Sequence, residues 1–440
     1  MTARITSIDF QDIICKLASD KAKAREEGIK LLNTWLDDER TFGFCKFLAE
    51  KSSVLKHNDS KNAESWTFLI KNLVQCLSLE ISSAKRRQPK LIFAKTLRVV
   101  VQHAESDTVS GESYALSPVA RLLFNHALNV LRDVPSFQSE YAVLLRHLLA
   151  VGGYRFHMRK RVYSDLVLLF MEKVERSLSK ESAGQSIPRE DVFRFTLTLQ
   201  SLLENPPGDI PVELRGDMVK GFVRIFSYVR DEGKLPKKLL ECINTFLLFD
   251  GPNLGWKSFE IHDAVERFVL RYWFSTQDRG LKDALISYVK LQLSLTRGAS
   301  DGSGFLEKLL DLVFKELDQL SCSNPDAVRD KKCGLLAGSQ YNAVDLAALV
   351  FRRVLTCTIK KQLSEKRSRQ EHIVVQVKER LIEGKWSWHA AAYFLIRNQS
   401  FRLETSLCVQ WFLGLSENFD RIINTANLEH SYAGLLWTLR

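Results

Sequence analysis

Apolar residues recur along this chain at the i, i+3, i+4 and i+7 spacing of one helix face. One series consists of Val119, Leu122, Leu123, Ala127, Val130 and Leu131, and a second of Tyr163, Leu166, Val167, Phe170, Met171, Val174 and Leu178. Similar series begin at Leu306 and Ala347. No segment alternates apolar and polar residues between Asn-Gly or Asp-Gly turns, so strands are not indicated. The spacing predicts an all-α protein.

Turn-rich breaks separate the helical stretches at intervals that indicate repeats. Helix pairs of roughly 40 to 47 residues are typical of HEAT and armadillo arrays. At 440 residues, the chain is too long for one compact core, and stacked helix pairs cover each other's apolar stripes. We therefore predict that residues 1–440 form a HEAT/armadillo-like helical-repeat solenoid, or superhelix, with no sheet. Flexible joints are predicted at 180–190, 296–304 and 321–340.

Hydropathy and cysteine usage indicate the compartment. No stretch of about 18 apolar residues occurs, so no membrane span is predicted. The N-terminus lacks the apolar core of a signal peptide. The 8 cysteines form no C-x-x-C pair and lie mostly at apolar helical positions, as small hydrophobes do. We expect a reduced protein that stays inside the cell.

The net charge of +11 is concentrated in short basic clusters. The candidates for a basic patch are Lys85, Arg86, Arg87, Arg159, Lys160, Arg161, Lys366, Arg367 and Arg369. Any one cluster is explained most simply as a solvated helix end or loop. Together they favour an acidic partner, either a phosphate backbone or an acidic peptide, without deciding between the two.

Sequence patterns of catalysis are missing. The chain contains no phosphate-binding G-x-x-x-x-G-K-[ST] loop, no H-E-x-x-H and no kinase H-R-D or D-F-G signature. Residues 298–302 match G-x-S-x-G, but a helical pattern precedes them where that motif needs a strand. His126 lies on an apolar helix face and is interpreted as a core residue with a hydrogen-bond partner. Ser339, followed by Gln340, is a possible phosphoacceptor. We predict no catalytic, metal-binding or cofactor-binding residue.

The N-terminal run of residues 16–32, KLASDKAKAREEGIKLL, resembles the N-terminal motif of the ATM/Tel family of phosphatidylinositol-3-kinase-related protein kinases. Leu17, Lys21 and Arg25 match the motif's apolar residue and two bases, and we assign the motif to about residues 8–36. Ala24 stands where the family pattern has an acidic residue. Residues 83–102, 135–149, 229–255 and 434–440 also resemble plant members of this family.

The resemblance implies the N-terminal solenoid of a nuclear serine/threonine kinase that answers DNA double-strand breaks and maintains telomeres. It implies protein partners, among them subunits of a break-sensing complex, while direct contact with DNA stays open. In this family the kinase domain, with its ATP and magnesium, lies far C-terminal of such a region, and the full-length kinases dimerise through regions outside this chain. The chain stops at Arg440 within an apolar helical pattern, so we expect a fragment or a truncated gene model.

Three functional hypotheses follow. In the first, a helix from Leu17 to Leu36 exposes Lys21 and Arg25, one turn apart, to an acidic partner segment; solvated surface charges are the alternative explanation of these two bases. In the second, the chain is a HEAT-type adaptor or transport scaffold that binds acidic or linear peptides. The third, an enzyme of unrecognised type, has no motif in its favour.

Overall fold

All regular structure in the described part of the chain is helical. The structure is a computed structural model, and it describes residues 7–37, 59–83, 90–106, 116–150, 154–184, 189–230, 233–254, 258–276, 278–295, 313–315 and 318. Within these ranges no strand occurs, which confirms the predicted all-α class. None of the described helices combines the length and apolar content that crossing a bilayer requires.

The described helices fall into two compact units, residues 1–228 and 229–440. The first unit contains α1 (Ser7–Leu17), α2 (Ala22–Asp37), α3 (Asp59–Ser83), α4 (Leu91–Ser106), α5 (Ser117–Asp133), α6 (Gln138–Ala150), α7 (Lys160–Ser182), α8 (Arg189–Glu204) and α9 (Val212–Ser227). The second contains α10 (Lys234–Leu254), α11 (Ser258–Ser275) and α12 (Arg279–Leu295). Short 3-10 turns at Pro135–Phe137 and Tyr154–His157 precede α6 and α7.

The apolar periodicity matches the buried helix faces. Every residue of the series that begins at Tyr163 is buried in α7. In α5 the series that begins at Val119 is buried except for Leu122, which is 37% exposed at the edge of the stripe. Pro118 lies in the first turn of α5, where its missing N–H costs no helical hydrogen bond.

The first unit is a row of helix hairpins in two layers. Consecutive helices pack as the pairs α1–α2, α3–α4, α5–α6 and α7–α8. Alternate helices also pack side by side, with α1, α3, α5, α7 and α9 forming one layer and α2, α4, α6 and α8 the other. Each hairpin therefore covers the apolar stripe of the next, as a solenoid requires. This arrangement confirms the predicted helical-repeat solenoid in the first unit.

Polar contacts link neighbouring helices within a layer. Asn33 Nδ2 donates to Thr96 Oγ1 over 2.7 Å between α2 and α4, and Arg98 Nε donates to Glu140 Oε2 over 2.8 Å between α4 and α6. In the other layer an arginine on α5, Arg132, contacts Asp165 on α7 at 2.9 Å. These contacts range from buried at Thr96 to nearly half exposed at Arg132, and each contributes on the order of 1 kcal/mol. The layers are therefore held chiefly by apolar burial.

The second unit repeats the pattern on a smaller scale. Its α12 packs against both α10 and α11. Asn244 Nδ2 on α10 donates to the carbonyl of Ala284 on α12 over 3.0 Å. The hydroxyl of Tyr288 on α12 lies 3.1 Å from Nδ1 of His262 on α11, and both groups are buried.

The flexibility of the three predicted joints stays a prediction. The joint at 180–190 coincides with the turn between α7 and α8, where Gly184 has a φ of +79° that favours glycine. The joints at 296–304 and 321–340 lie outside the described residues. The boundary between the units, after Tyr228, coincides with none of the three, because its short linker carries little of the Gly/Ser signal used to find joints.

Candidate interaction surfaces of the first unit

The first two helices form a hairpin, not one helix across the motif. The expected helix from Leu17 to Leu36 is wrong, because α1 ends at Leu17 and α2 begins at Ala22. The intervening polar turn is closed by Ser19 Oγ, which accepts from the backbone N–H of Lys21 over 3.2 Å. Such short side chains compete with the helix for backbone donors, so the Ser-Asp pair is a physical reason for the break.

Arg25 lies inside the hairpin stack and not on an exposed face. Only 2% of the residue is exposed, and its guanidinium forms an ion pair with Glu80 on α3, Nη2 to Oε1 at 2.5 Å and Nε to Oε1 at 2.7 Å. Its Nη1 also donates to the carbonyl of Ser19 over 2.9 Å. The expectation that Arg25 is on the polar surface of its helix is therefore wrong. Arg25 ties the hairpin turn to the next helix pair.

The other two motif residues lie in contrasting surroundings. Leu17 is fully buried at the end of α1, where the backbone of α2 approaches closely at Gly28. A Cβ placed on Gly28 would lie 3.2 Å from the backbone nitrogen of Leu17, so a larger side chain would push the helices apart. Lys21 is exposed immediately before α2. Of the three motif residues, Lys21 alone is available to a partner.

A network of surface charges surrounds this hairpin. Lys16 contacts Asp12 at 2.9 Å and Glu27 at 3.1 Å, and hydrogen bonds to these carboxylates raise its pKa. Glu26 contacts Lys90 at 2.5 Å at the start of α4, and the hydrogen bond from Lys90 lowers the pKa of the Glu26 carboxyl. The Lys16 pairs lie within the first hairpin, and the Glu26–Lys90 pair joins it to the second at the surface.

A second candidate surface lies at the start of α7. Arg159, Lys160 and Arg161 are all exposed there. Arg159 occupies the N-cap position without a side-chain capping hydrogen bond, and the first turn of α7 has no acidic residue. Phe156, in the preceding 3-10 turn, is 72% exposed. The structure thus places three bases and an aromatic ring at one helix end, and the exposure of Phe156 was not foreseen.

The remaining predicted site residues lie outside the described part of the chain. They are Lys85, Arg86, Arg87, Ser339, Lys366, Arg367 and Arg369. Their roles in a basic patch and in phosphorylation stay predictions.

His126 confirms the interpretation of a core histidine with a hydrogen-bond partner. Its Nε2 lies 2.6 Å from the hydroxyl of Tyr141, and the residue is 7% exposed. Burial lowers the pKa of His126 to about 4 and raises that of the Tyr141 hydroxyl. The pair is therefore uncharged at neutral pH and links α5 to α6.

The described residues contain a shallow groove but no recognisable catalytic group within it. The groove, of about 420 Å³, lies between α7 and α9 and includes Glu172, Glu175, Arg176, Asp217 and Arg224. Arg224 Nε lies 2.9 Å from a carboxylate oxygen of Glu175, and Arg176 pairs with Glu172. Within the described ranges, no three His, Cys, Asp or Glu residues are grouped so that they could hold a metal ion. The groove charges are largely engaged with one another.

Comparison with known proteins finds a similar sequence among the kinases. Over 419 residues, 94% of this chain, the sequence is 51% identical to the serine/threonine-protein kinase ATM of Arabidopsis thaliana, and the chain spans 11% of that kinase's length. No protein-family profile matches the chain. A crystal structure of importin beta overlays 98% of this chain and 52% of its own, with a TM-score of 0.41 and 10% identity. The sequence match confirms the resemblance to the ATM/Tel family, and the part of the kinase that this chain matches is its N-terminal region.

Proposed function

We propose that this chain is the recruitment arm of a nuclear serine/threonine kinase that responds to DNA double-strand breaks and maintains telomeres. The observation that supports this most directly is the 51% identity to ATM across 94% of the chain. In this proposal the chain performs no chemistry, and ATP and magnesium are bound only by a kinase domain elsewhere in the protein. Its partners are proteins, among them subunits of a break-sensing complex.

The geometry of the first hairpin supports a specific docking point. Arg25 and Leu17 hold the turn between α1 and α2 against α3, and this fixed turn presents Lys21 to solvent. A positioned base loses little conformational freedom on binding, which favours affinity for an acidic partner segment. The motif thus divides into residues that build the turn and one that is free to make contact.

Recruitment to damage tests the proposal. The chain fused to a fluorescent protein is expected to accumulate at laser-induced breaks in plant nuclei. Lys21→Glu is expected to weaken accumulation by reversing a contact charge, whereas Lys220→Glu, an equally exposed change on α9, leaves it intact. Circular dichroism verifies that both variants keep their helices. Equal accumulation of both variants, or none for the unaltered chain, would overturn the proposal.

The adaptor hypothesis makes a different prediction for the same fusion protein. A general HEAT-type scaffold would capture diverse acidic or linear peptides by proximity labelling, with or without DNA damage. A recruitment arm instead labels break-repair factors, and does so more strongly after irradiation. Damage-independent labelling of varied cargo would favour the adaptor.

A further inference from the structure

The basic end of α7 carries three consecutive exposed bases that lack carboxylate partners among the described residues. In the described part of the first unit, arginines that do contact a carboxylate are Arg25, Arg98, Arg132, Arg176, Arg189, Arg194 and Arg224. Arg159, Lys160 and Arg161 form no such pair with any described residue. Three consecutive exposed bases therefore remain available to an external anion.

Their position on the helix works against stability. The N-terminus of a helix carries a partial positive charge, so cations there are unfavourable and acidic residues are preferred. Arg159 also occupies the cap position, where Ser, Thr, Asp or Asn would satisfy a free N–H group. Residues that oppose local stability in this way are expected where a ligand supplies the missing negative charge.

The arrangement suits a polymer of phosphates better than a single carboxylate. Successive residues on a helix point about 100° apart, so the side chains of Lys160 and Arg161 spread around the helix end and do not converge on one point. Phe156, in the turn just before them, is 72% exposed, so most of its surface is accessible to solvent. Cations that follow a backbone and an aromatic side chain that stacks on a base are the two elements of single-strand recognition.

We propose that Phe156, Arg159, Lys160 and Arg161 form a contact site for single-stranded nucleic acid. The three cations contact successive phosphates, and the Phe156 ring stacks on an unpaired base. This site is separate in sequence from Lys21 and does not depend on the recruitment proposed above. Duplex DNA offers the same phosphates but no free base face, so it is expected to bind more weakly.

Fluorescence anisotropy of a labelled 20-mer oligothymidine with the purified 440-residue chain tests the site. Replacing Arg159, Lys160 and Arg161 with Gln is expected to weaken binding at least tenfold at low salt. The same change should reduce the slope of log affinity against log salt by about 2, since each phosphate contact to a single strand contributes about 0.7. Phe156→Ala is expected to weaken binding about tenfold without changing that slope.

Matched controls separate this site from general charge attraction. Lys220→Gln and Lys180→Gln remove exposed bases from other helical positions and are expected to leave affinity within twofold. Unchanged affinity in the triple variant would overturn the proposal. Equal affinity for a duplex of the same length would also overturn it. Displacement of the oligonucleotide by polyglutamate at equal charge would overturn it too, because it would identify a surface for acidic peptides.

Discussion

Removing the Arg25 guanidinium is expected to loosen the N-terminal hairpin specifically. In Arg25→Met the alkyl packing is largely kept, but Glu80, whose side chain is 14% exposed, loses its ion-pair partner, and the Ser19 carbonyl loses a donor. Removing one member of a buried pair costs about 3–5 kcal/mol because the other charge stays desolvated. Since Glu80 keeps some access to water, we expect the lower end, about 3 kcal/mol.

Hydrogen exchange measured by mass spectrometry is the suitable assay, because it reports opening segment by segment. A loss of about 3 kcal/mol corresponds to exchange about 100-fold faster in peptides from α1 and α2. Peptides from α7 and α8 in the same sample serve as the internal control. Lys21→Met, an exposed change in the same hairpin, is expected to leave exchange unaltered.

A double variant tests the electrostatic reasoning itself. Adding Glu80→Met to Arg25→Met removes the stranded carboxylate, so protection is expected to return most of the way towards the original level. If Arg25→Met alone leaves protection of α1 and α2 unchanged, the pair does not hold the hairpin. If the double variant exchanges as fast as the single one, lost packing and not the unpaired charge is responsible.

Three further predictions concern single sites. Arg159→Asp supplies a capping side chain and an acidic residue at the start of α7, so it should stabilise the first unit by about 1 kcal/mol in thermal melts. The same change should weaken oligonucleotide binding. A lower melting temperature would show that the bases at this helix end do not lower the stability of α7. Burial holds the pKa of His126 near 4 in the folded state, below its unfolded value near 6.5. Between these two pH values the unfolded chain therefore binds more protons than the folded chain. The free energy of unfolding should fall by up to about 3 kcal/mol as the pH drops from 6.5 to 4. Urea unfolding should show a smaller fall in the double variant His126→Leu, Tyr141→Phe, and an equal fall would assign the effect elsewhere. Burial raises the pKa of the Cys76 thiol to about 12, so iodoacetamide followed by peptide mapping should modify the exposed Cys15 and leave Cys76 unlabelled until the chain is unfolded.

Periodicity predicted the helical class and the stacking of helices, because an apolar stripe marks the face that a neighbouring helix covers, but it did not find the break between α1 and α2. It could predict α5 and α7 almost residue by residue. Leu122 was the exception, since a residue at the margin of a stripe has the same spacing as one at its centre. Likewise, His126 was correctly placed in the core by the apolar face around it.

Periodicity could not predict whether an individual charged side chain is buried or exposed, or which residue it pairs with. Arg25 has the spacing of a surface residue, and its burial depends on Glu80, 55 residues further along the chain. No local pattern in a single sequence records such a pairing. The same limit applies to Phe156, because exposure of one aromatic residue depends on what the neighbouring helices leave uncovered.

The alternating layers of the first unit also determine how far local unfolding can spread from one helix to the next. Its principal contacts join helices that are at most two apart in chain order. Cooperativity in such a row is therefore of the nearest-neighbour kind, and folding can start at one hairpin and spread to the next. Fraying at α1 and α2 would leave α7 to α9 folded, so the turn between α1 and α2 can open and close while the basic end of α7 keeps its shape.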